Sequence, residues 1–477
     1  MLPFASLLHL SDDSKLPVYL RISNAIIEQI SQGTIRPGTR LPSSRALADM
    51  LQVHRKTIVA AYDELYAQGW IESRSTKGTF VNDQLPTVDP VPLTPSTPDQ
   101  ELTSSGLSQE VLLPLRFDDG FPDTRLAPLA SLGKEYSSLL KDRKFTRYLT
   151  YTSNFMGDQK LREQIALHLR DTRGIYVSTD HILISRGSIM AFYLILVSHL
   201  SPGAGVLVGA PGYQTFNKIV SRTGGRLLEI PVDESGLQVD HIAELCETEL
   251  VEFVYVVPHH HHPTTVTLSP ERRLRLLELS KQYGFRIIED DYDFDFHYES
   301  GAILPLTSLN HQGKVIYVGS FSKTIAPSLR LAFVVASPEI LGDLAELRRL
   351  IDRSGDPVLE RAVARLLEYG EIRRHLNKAV KVYRSRRDLL CRLLGEELSD
   401  YISFQVPEGG MAIWAKYAQH LNIESISQAA AKEGLYVPLP QAYPSPSGRH
   451  VRLGYSSMNE EEIRQAFGML KALILTH

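Results

Sequence analysis

The first part of the chain carries apolar residues at helical spacing, which predicts a small helical domain. In PVYLRISNAIIEQISQ, residues 17–32, Ile22, Ile26 and Ile30 lie four positions apart on one face, and Gly33 is a stop signal. Two shorter helices are predicted in LPSSRALADMLQV, where a serine is the N-cap, and in RKTIVAAYDELYAQGW. The alternating segment IESRSTKGTFV then predicts a two-stranded hairpin that turns at Thr76-Lys77-Gly78.

Two short helices joined by a tight turn and followed by a hairpin form a winged helix-turn-helix. The outward start of the second short helix carries Arg55, Lys56 and Thr57, and Lys77 lies at the hairpin tip. Basic and hydroxyl side chains at this helix end are placed to meet phosphates and base edges in a DNA groove. A helical protein-interaction module with ordinary surface charges remains the alternative on periodicity alone.

From about residue 160 onward, helical patterns alternate with short apolar runs, which predicts a layered α/β sheet. A representative helix is residues 270–284, with Ser269 as its cap and Pro270 in its first turn. After about residue 354 the pattern predicts one long charged helix and then short strands, which indicates a smaller α+β lobe. The predicted strands are ILISRG, GVLVGA, RLLEIPV, LVEFVYVV, FRIIEDD, KVIYVGS and RLAFVVA.

Between the two patterned regions, residues 83–114 are rich in proline, serine and threonine and show no regular period. Such a segment buries too little apolar surface to order itself, so it is predicted to be a flexible linker. The expected domains are therefore residues 1–82, the linker, and residues 115–477.

Composition narrows the class of protein. The 477 residues include two cysteines, Cys246 and Cys391, without metal-ligand spacing, which favours a reducing compartment and disfavours a structural zinc site. The N-terminus lacks the pattern of a signal peptide, and the longest apolar run is too short for a membrane span, so a cytoplasmic protein is expected. Residues 1–82 hold nine Lys/Arg and seven Asp/Glu, a slight positive charge within a chain of net charge -4.

The candidate chemistry lies at predicted strand ends. Lys323, in GSFSKTIAPSLR, follows a buried strand and has Ser320 and Arg330 nearby, so a Schiff-base lysine beside phosphate ligands is expected. Asp290 ends another strand and is placed to keep a pyridine nitrogen protonated. Pyridoxal 5′-phosphate needs both groups, although a lone SxxK or DDYD is common in surface loops. Three further candidates are Gly187 and Ser188, at a helix start suited to phosphate, and Tyr213, suited to stacking.

The segment PGTRLPSSRALADMLQVHRKTIVAAYDELYAQGWIESRSTKGTFV, residues 37–81, resembles the DNA-binding domain of the GntR family of bacterial transcription regulators, and the resemblance covers residues 17–81. The resemblance implies double-stranded DNA as a partner. It assigns the DNA contacts to Ser43, Ser44, Arg45, Arg55, Lys56, Thr57, Lys77 and Gly78.

The remainder resembles fold-type I aminotransferases, and the whole chain resembles the MocR or GabR-like regulators that join both domains. The resemblance implies pyridoxal 5′-phosphate bound covalently to Lys323, a homodimer, and an amine, amino acid or pyridoxal phosphate itself as effector. It pairs Asp290 with the pyridine nitrogen, Tyr292 with the ring hydroxyl and Arg452 with the effector carboxylate. Tyr213 would stack on the ring, and the phosphate would be held by Gly187, Ser188, Ser320 and Arg330.

The sequence departs from the family's aminotransferases beside the expected ring. His262-Pro263-Thr264-Thr265 replaces Asn-Pro-Thr-Gly, so Thr265 is expected to change the backbone angle, and His262 to approach the ring hydroxyl. Gly209 stands where an acidic residue is common in the subfamily. The run His259–His262 falls where the regulator family commonly has a Ser-His-Gln-aromatic stretch before Pro-Thr-Gly, so the resemblance implies that it lines the loop beside the ring. A metal site is disfavoured, because four consecutive side chains converge poorly on one ion.

Three functions remain open from the sequence. A regulator without steady turnover is favoured, with at most residual transaminase-like chemistry. An active aminotransferase with an accessory DNA-binding domain is the alternative, and a metal-binding regulator that uses the histidine run is the third. The effector, the target DNA and the direction of regulation are not encoded in any recognisable motif.

Overall fold

The chain forms two compact units, Met1–Ser108 and Gln109–His477. The computed structural model describes residues 4–8, 16–74, 77–86, 113–146, 149–150, 154–299 and 303–476. Most of the predicted linker, residues 87–112, lies outside the described residues, as does Thr76 of the predicted hairpin turn. The proposed domain boundaries at residues 82 and 114 therefore stay predictions.

The N-terminal unit contains the three predicted helices and the predicted hairpin. Its elements are α1 (Phe4–Leu7), α2 (Val18–Ser31), α3 (Ser44–Leu51), α4 (Arg55–Ala67), β1 (Ile71–Arg74) and β2 (Gly78–Val81). Ser43 caps α3, its hydroxyl accepting a hydrogen bond from the Ala46 amide at 3.2 Å. Ile22, Ile26 and Ile30 of α2 are buried in one core with Leu47, Ile58 and Trp70, and β1 pairs antiparallel with β2. This is a winged helix-turn-helix.

The C-terminal unit is built from alternating helices and strands, as predicted. The elements before the small lobe are β3 (Leu115–Arg116), α5 (Leu129–Lys141), α6 (Arg143–Thr146), α7 (Gln159–Arg173), β4 (Ile182–Ser185), α8 (Ser188–His199), β5 (Gly205–Ala210), α9 (Gln214–Arg222), β6 (Arg226–Asp233), β7 (Gly236–Leu237), α10 (His241–Thr248), β8 (Val251–Val256), α11 (Pro270–Tyr283), β9 (Arg286–Asp291), β10 (Val315–Ser320), β11 (Ala332–Val335) and α12 (Pro338–Ile351). Each of the seven predicted strands is present, and α11 begins at the predicted Ser269 cap.

The central sheet has eight strands in the order β4-β11-β10-β9-β8-β5-β6-β7. Strands β10, β9, β8, β5 and β6 are parallel to their neighbours in this series, whereas β11 is antiparallel to both β10 and β4. The central strands are buried on both faces, which explains their nearly continuous apolar sequences. Because parallel strands end at the same sheet edge, the loops after β9 and β10 come together there.

The small lobe corrects one prediction. The long charged helix expected after residue 354 is two helices, because Gly370 adopts a left-handed conformation (φ 70°) that breaks the helix between them. The lobe's sheet has the order β12-β13-β15, and β14 pairs in parallel with β3 from the start of the unit. Its elements are α13 (Pro357–Glu368), α14 (Glu371–Glu397), β12 (Ile402–Phe404), β13 (Ala412–Tyr417), α15 (Ile423–Lys432), β14 (Leu435–Tyr436), β15 (His450–Gly454) and α16 (Glu460–Thr476).

Among the residues described, short 3-10 helices connect these elements at Thr179–His181, Phe294–Phe296, Leu306–Ser308, Pro327–Leu329 and Pro440–Ala442. Within the described part of the chain, no helix is both long enough and apolar enough to cross a membrane.

Candidate functional site

A cavity of about 180 Å³ opens at the strand ends of the central sheet in the C-terminal unit. The loops after β9 and β10, the start of α8 and the loop before α9 surround it, as the shared edge of parallel strands requires. Its lining residues are Asp119, Phe121, Ser188, Ile189, Tyr213, Tyr255, His262, Asp290, Tyr292, Ser320, Ser322, Lys323, Pro327 and Arg330. Most of the predicted site residues of this unit therefore meet in one place.

Lys323 extends into this cavity from the turn after β10. Its Nζ donates a hydrogen bond to the carbonyl oxygen of Gly120 at 2.7 Å and lies 4.9 Å from the centre of the Phe121 ring. Burial lowers the pKa of the Lys323 ammonium, with Asp119 opposing the shift. A lowered pKa increases the share of neutral amine, which is the form that attacks a carbonyl carbon.

Asp290 and Asp291 end β9 side by side but have opposite surroundings, because successive strand residues point to opposite faces. Asp291 forms an ion pair with Arg173 at 2.9 Å. Asp290 has no cation: its Oδ2 accepts a hydrogen bond from the Tyr255 hydroxyl at 2.6 Å, and its buried Oδ1 has no partner among the described residues. Burial raises the pKa of Asp290 to about 7. Asp290 is thus a buried carboxyl that lacks a positively charged partner in the described part of the chain.

The start of α8 and the loop after β10 form the second end of the cavity. Gly187 is the N-cap of α8 with φ 80°, and the first amides of the helix after it have no intrahelical acceptor. Arg330 packs closely over this glycine, since a Cβ atom built on Gly187 would overlap the Arg330 guanidinium. Ser188 and Ser320 complete this end, and the Ser320 hydroxyl accepts a hydrogen bond from the Ser322 amide at 3.1 Å. Helix amides, hydroxyls and a guanidinium together suit a phosphate group.

Two tyrosines line the space between these ends. The Tyr292 hydroxyl donates a hydrogen bond to the His260 carbonyl oxygen at 2.7 Å and accepts one from Arg452 Nη2 at 3.3 Å. Tyr213, at the N-cap of α9, meets the His262 ring edge-on with a centroid separation of 5.3 Å. Both residues line the same cavity as Asp290 and Lys323.

The four histidines of the run His259–His262 do not share one environment, and only one of them lines the cavity. His262 lines the cavity, whereas His259, His260 and His261 are buried and face other partners, so the expectation that all four line the ring loop is wrong. His260 Nδ1 lies 3.0 Å from an oxygen of Asp293. The other two bind the Ile303 carbonyl oxygen and the Thr264 hydroxyl. In the described residues, no three or more His, Cys, Asp or Glu side chains are arranged to hold a metal ion.

The backbone at Thr265 adopts a conformation that favours glycine. Thr265 has φ 64°, in the left-handed region, so a branched side chain occupies a glycine-like position in this turn. The turn retains this angle because the Thr265 amide donates to the His261 carbonyl at 2.6 Å and the His261 amide donates to the Val266 carbonyl at 2.8 Å.

Gly209 accommodates one of the buried histidines. A Cβ atom at Gly209 would lie 3.0 Å from His261 Nε2 and 2.9 Å from Val232 Cγ2, so the imidazole occupies the space that a side chain there would need. Burial lowers the pKa of His261 to about 3, which keeps this ring neutral.

Asp119 and Tyr443 are site residues that the sequence did not reveal. His262 Nε2 lies 3.0 Å from both carboxylate oxygens of Asp119, and the Tyr443 hydroxyl donates to Oδ1 at 2.8 Å. Arg452, predicted to bind an effector carboxylate, lies with its Nε 3.4 Å from Asp119 Oδ1. The acidic pair in FDDGFPD was the available signal for Asp119, but Tyr443 lies in a segment without a motif.

The predicted DNA contacts lie on the surface of the N-terminal unit. Ser44 and Thr57 are half-buried, and the others are exposed: Ser43, Arg45, Arg55, Lys56, Lys77 and Gly78. Arg55 Nε lies 3.4 Å from the Ser44 hydroxyl, which brings the starts of α3 and α4 together. Arg40 lies beside the wing, and its Nε would be 3.2 Å from a Cβ atom on Gly78.

The C-terminal unit is similar to known aminotransferases. Residues 120–470, well over half of the chain, match the family described as aminotransferase class I and II. The crystal structure of LysN, the α-aminoadipate aminotransferase of Thermus thermophilus, is 27% identical with a TM-score of 0.69. The similarity covers 76% of this chain and 92% of that one, and LysN was solved with N-(5'-phosphopyridoxyl)-L-leucine.

Pyridoxal phosphate is the cofactor that this family implies, and the residues present fit it. The unpartnered Oδ1 of Asp290 suits a protonated pyridine nitrogen, which would supply the missing cation. The close approach of Arg330 to Gly187 at a helix start suits a phosphate, and the Lys323 amine in the same cavity would be the group to bond the aldehyde carbon.

The N-terminal unit and the whole chain are similar to transcription regulators. Residues 18–81 match the family described as bacterial regulatory proteins, gntR family. An uncharacterized HTH-type transcriptional regulator, YisV of Bacillus subtilis (strain 168), is 28% identical over 94% of this chain and 93% of its own length. The probable rhizopine catabolism regulatory protein MocR of Rhizobium meliloti is 26% identical over 98% and 96%. The chain therefore belongs to the aminotransferase class I and II family, within the group of MocR/GabR-type transcription regulators that join a gntR helix-turn-helix domain to an aminotransferase domain.

Proposed function

We propose that this regulator holds pyridoxal phosphate on Lys323 and changes its DNA binding when a primary amine, an amino acid or pyridoxal phosphate occupies the cofactor pocket. The observation that carries the proposal is the unpartnered Oδ1 of Asp290 in the same cavity as Lys323, on a chain that also has a gntR domain. A buried carboxyl without a cation is costly in the absence of a ligand, and a pyridinium nitrogen offsets that cost.

Each of the pocket's residues has a separate role toward the cofactor in this proposal. Lys323, whose pKa is lowered by burial, supplies a neutral amine for the covalent bond to the aldehyde. Asp290 holds a proton on the pyridine nitrogen, and Arg330 with the α8 amides neutralises the phosphate. The cofactor, when bound, supplies an electron sink for chemistry at the amine-bearing carbon.

Tyr213 and His262 line the remaining space of the pocket. In our proposal Tyr213 stacks on the cofactor ring, and Tyr292 and His262 face its hydroxyl. His262 Nδ1 is buried without a partner among the described residues, which leaves it available for such a contact.

The exposed basic face of the N-terminal unit contacts the DNA in this proposal. Arg55 and Lys56 begin α4, the helix placed to enter a major groove, and Lys77 extends the wing toward a phosphate. Two such domains on a homodimer would read two half-sites, and a ligand acts if it binds one arrangement of the dimer more tightly than another. Since a transcription regulator with a gntR domain has to reach DNA, we place the protein in the cytoplasm.

The contacts that Arg452 already makes within the chain favour regulation over steady catalysis. This arginine would have to bind a substrate carboxylate in an aminotransferase, yet it already contacts Asp119, Pro263 and Tyr292. Steady transamination with an amino donor is the alternative function, which the complete lysine and aspartate pair supports.

The test combines spectroscopy and DNA binding on the full-length protein. The purified wild type should show the visible absorbance of pyridoxal phosphate bound to Lys323, and added amines should shift both this absorbance and the affinity for DNA upstream of its own gene. Lys323→Ala should lose the absorbance and the amine response while still binding DNA. The proposal fails if the wild type retains no cofactor, or if no amine, amino acid or pyridoxal phosphate alters its DNA affinity. Sustained turnover with an amino donor and a keto acid would instead favour the enzyme.

A further inference from the structure

The buried guanidinium of Arg452 already has acceptors from this chain at each of its nitrogens. Nε lies 3.3 Å from the Asp119 carbonyl oxygen and 3.4 Å from Asp119 Oδ1. Nη1 donates to the Pro263 carbonyl at 3.1 Å, and Nη2 donates to the Tyr292 hydroxyl at 3.3 Å. Only 1% of the Arg452 side chain is exposed. A carboxylate that arrives with a ligand must therefore displace a partner that is already present.

The Asp119 carboxylate is held firmly in this position. Besides Arg452, it contacts His262 Nε2 at 3.0 Å and accepts a hydrogen bond from the Tyr443 hydroxyl at 2.8 Å. Burial alone would raise the pKa of Asp119, but His262 and Arg452 outweigh burial and hold it well below its usual range. Asp119 is therefore an anion at neutral pH.

The backbone on either side of Asp119 is also anchored. The Gly454 amide donates to the Asp118 carbonyl at 2.8 Å, which ties this segment to β15, the strand that carries Arg452. The Asp118 carboxylate accepts hydrogen bonds from the amides of Gly120 and Phe121, both at 2.9 Å. Moving the Asp119 carboxylate away from Arg452 therefore requires a side-chain rotation against three partners rather than a shift of a loose loop.

Asp119 is also close to the point where a ligand amine would bind. Lys323 Nζ donates to the carbonyl oxygen of Gly120, the next residue, at 2.7 Å. A carboxylate on the amine-bearing carbon is two bonds from the amine nitrogen, so it must enter the space between Lys323 and Arg452. Here it would meet the charge of Asp119, whose side chain is 35% exposed, and two like charges at this short range repel each other.

We propose that Asp119 is an internal counter-anion for Arg452, and that it selects primary amines without a carboxylate on the amine-bearing carbon over α-amino acids. The inference rests on the proposed function, because it takes the ligand amine to bind at the Lys323–cofactor centre. The anion that repels a ligand carboxylate also attracts the cationic form of an arriving amine. Asp119 is thus a specificity-determining residue of this pocket.

The test compares ethylamine with L-alanine, which differ by the carboxylate alone. Dissociation constants are measured by calorimetry and by cofactor absorbance on the cofactor-loaded full-length protein. We expect the wild type to bind ethylamine about tenfold more tightly than L-alanine, and Asp119→Asn to bind L-alanine about tenfold more tightly than the wild type does. Ethylamine binding should weaken in Asp119→Asn, because the variant lacks the anion.

Two further variants separate this role from a general structural one. Tyr443→Phe removes one hydrogen bond from Asp119 and keeps the ring, so it should raise L-alanine binding by a smaller factor, about threefold. Asp233→Asn is the matched control, because that carboxylate pairs with Arg272 at 2.5 Å and lies outside the cofactor cavity. It should leave the ethylamine to L-alanine ratio unchanged.

The outcomes distinguish this inference from the proposed function. If the wild type retains no pyridoxal phosphate, the proposed function fails and the inference fails with it. If the wild type retains the cofactor and binds L-alanine as tightly as ethylamine, the inference alone is overturned. The same holds if Asp119→Asn and Tyr443→Phe both leave the preference unchanged.

Discussion

Replacing Asp290 by asparagine should have two separate effects. It should weaken cofactor binding, and it should change how the stability of the cofactor-free protein depends on pH. In the cofactor-free protein Asp290 is a buried carboxyl with a single hydrogen-bond donor among the described residues, the Tyr255 hydroxyl at 2.6 Å, and its pKa is raised to about 7 by burial. The asparagine amide oxygen accepts the same hydrogen bond but never ionises. We therefore expect Asp290→Asn to weaken pyridoxal phosphate binding and to remove a pH-dependent loss of stability.

The magnitude follows from the pKa of Asp290. The folded carboxyl, with a pKa of about 7, keeps its proton over a range in which the unfolded chain, with a pKa of 3.8, has lost it. Stability of the wild type therefore falls as the pH rises from about 4 to about 7, by on the order of 4 kcal/mol in total. Roughly 2 kcal/mol of this loss lies between pH 5.5 and 8.5. The unpartnered amide nitrogen of asparagine costs about 1–3 kcal/mol at every pH, so the change with pH is the decisive quantity.

The assay is urea unfolding of the cofactor-free full-length chain at the two pH values. The chain has two tryptophans, so a shared Trp70→Phe background leaves Trp414 as the reporter of the C-terminal unit. The parent should lose about 2 kcal/mol of unfolding free energy between pH 5.5 and 8.5, and Asp290→Asn should not. The unfolding free energy of the variant minus that of the parent should therefore rise by about 2 kcal/mol over this range. Asp240→Asn is the control, because that carboxylate is 90% exposed and should show no such gain. An identical difference between Asp290→Asn and the parent at both pH values would refute the reasoning.

Three further predictions concern the DNA-binding surface and the loop beside the cofactor. Arg55→Ala should weaken DNA binding about tenfold without altering cofactor absorbance. It should also lower the number of counterions released on binding, read from the slope of log affinity against log salt concentration, by about one. An unchanged affinity would show that Arg55 does not contact DNA. Thr265→Gly should raise the unfolding free energy by about 1 kcal/mol, because glycine adopts φ 64° without the steric cost of a branched side chain; a loss of stability would contradict this. Gly209→Ala should cost about 1–3 kcal/mol through its clash with His261, and less in a His261→Ala background, as measured by thermal or urea unfolding.

Local sequence patterns were sufficient for most of the architecture. The spacing of isoleucines along α2 and the serine before α3 predicted the N-terminal helices, because helical periodicity and capping depend on residues a few positions apart. The seven continuous apolar runs predicted the strands of the large sheet for the same reason. The pattern failed at Gly370, where one glycine in a left-handed conformation ends α13 and precedes α14 within an otherwise continuous helical period.

Motifs at strand ends predicted much of the cofactor pocket but not the balance of its charges. The DDYD segment alone cannot show which carboxyl lacks a cation, since this depends on Arg173, more than a hundred residues earlier, pairing with Asp291 and not with Asp290. The histidine run was equally ambiguous, because the backbone path decides which ring enters the cavity. Only His262 does so among the four.

By itself, the sequence determined the order of domains, the helices and strands, and the lysine and aspartate that suit pyridoxal phosphate, because each is written in neighbouring residues or in a recognisable motif. The tertiary structure alone decided that Asp119 occupies the anion position beside Arg452. These residues are 333 positions apart, and they meet because the segment before α5 lies against β15 at the edge of the pocket. The ligand preference proposed here depends on that meeting, which no local pattern encodes.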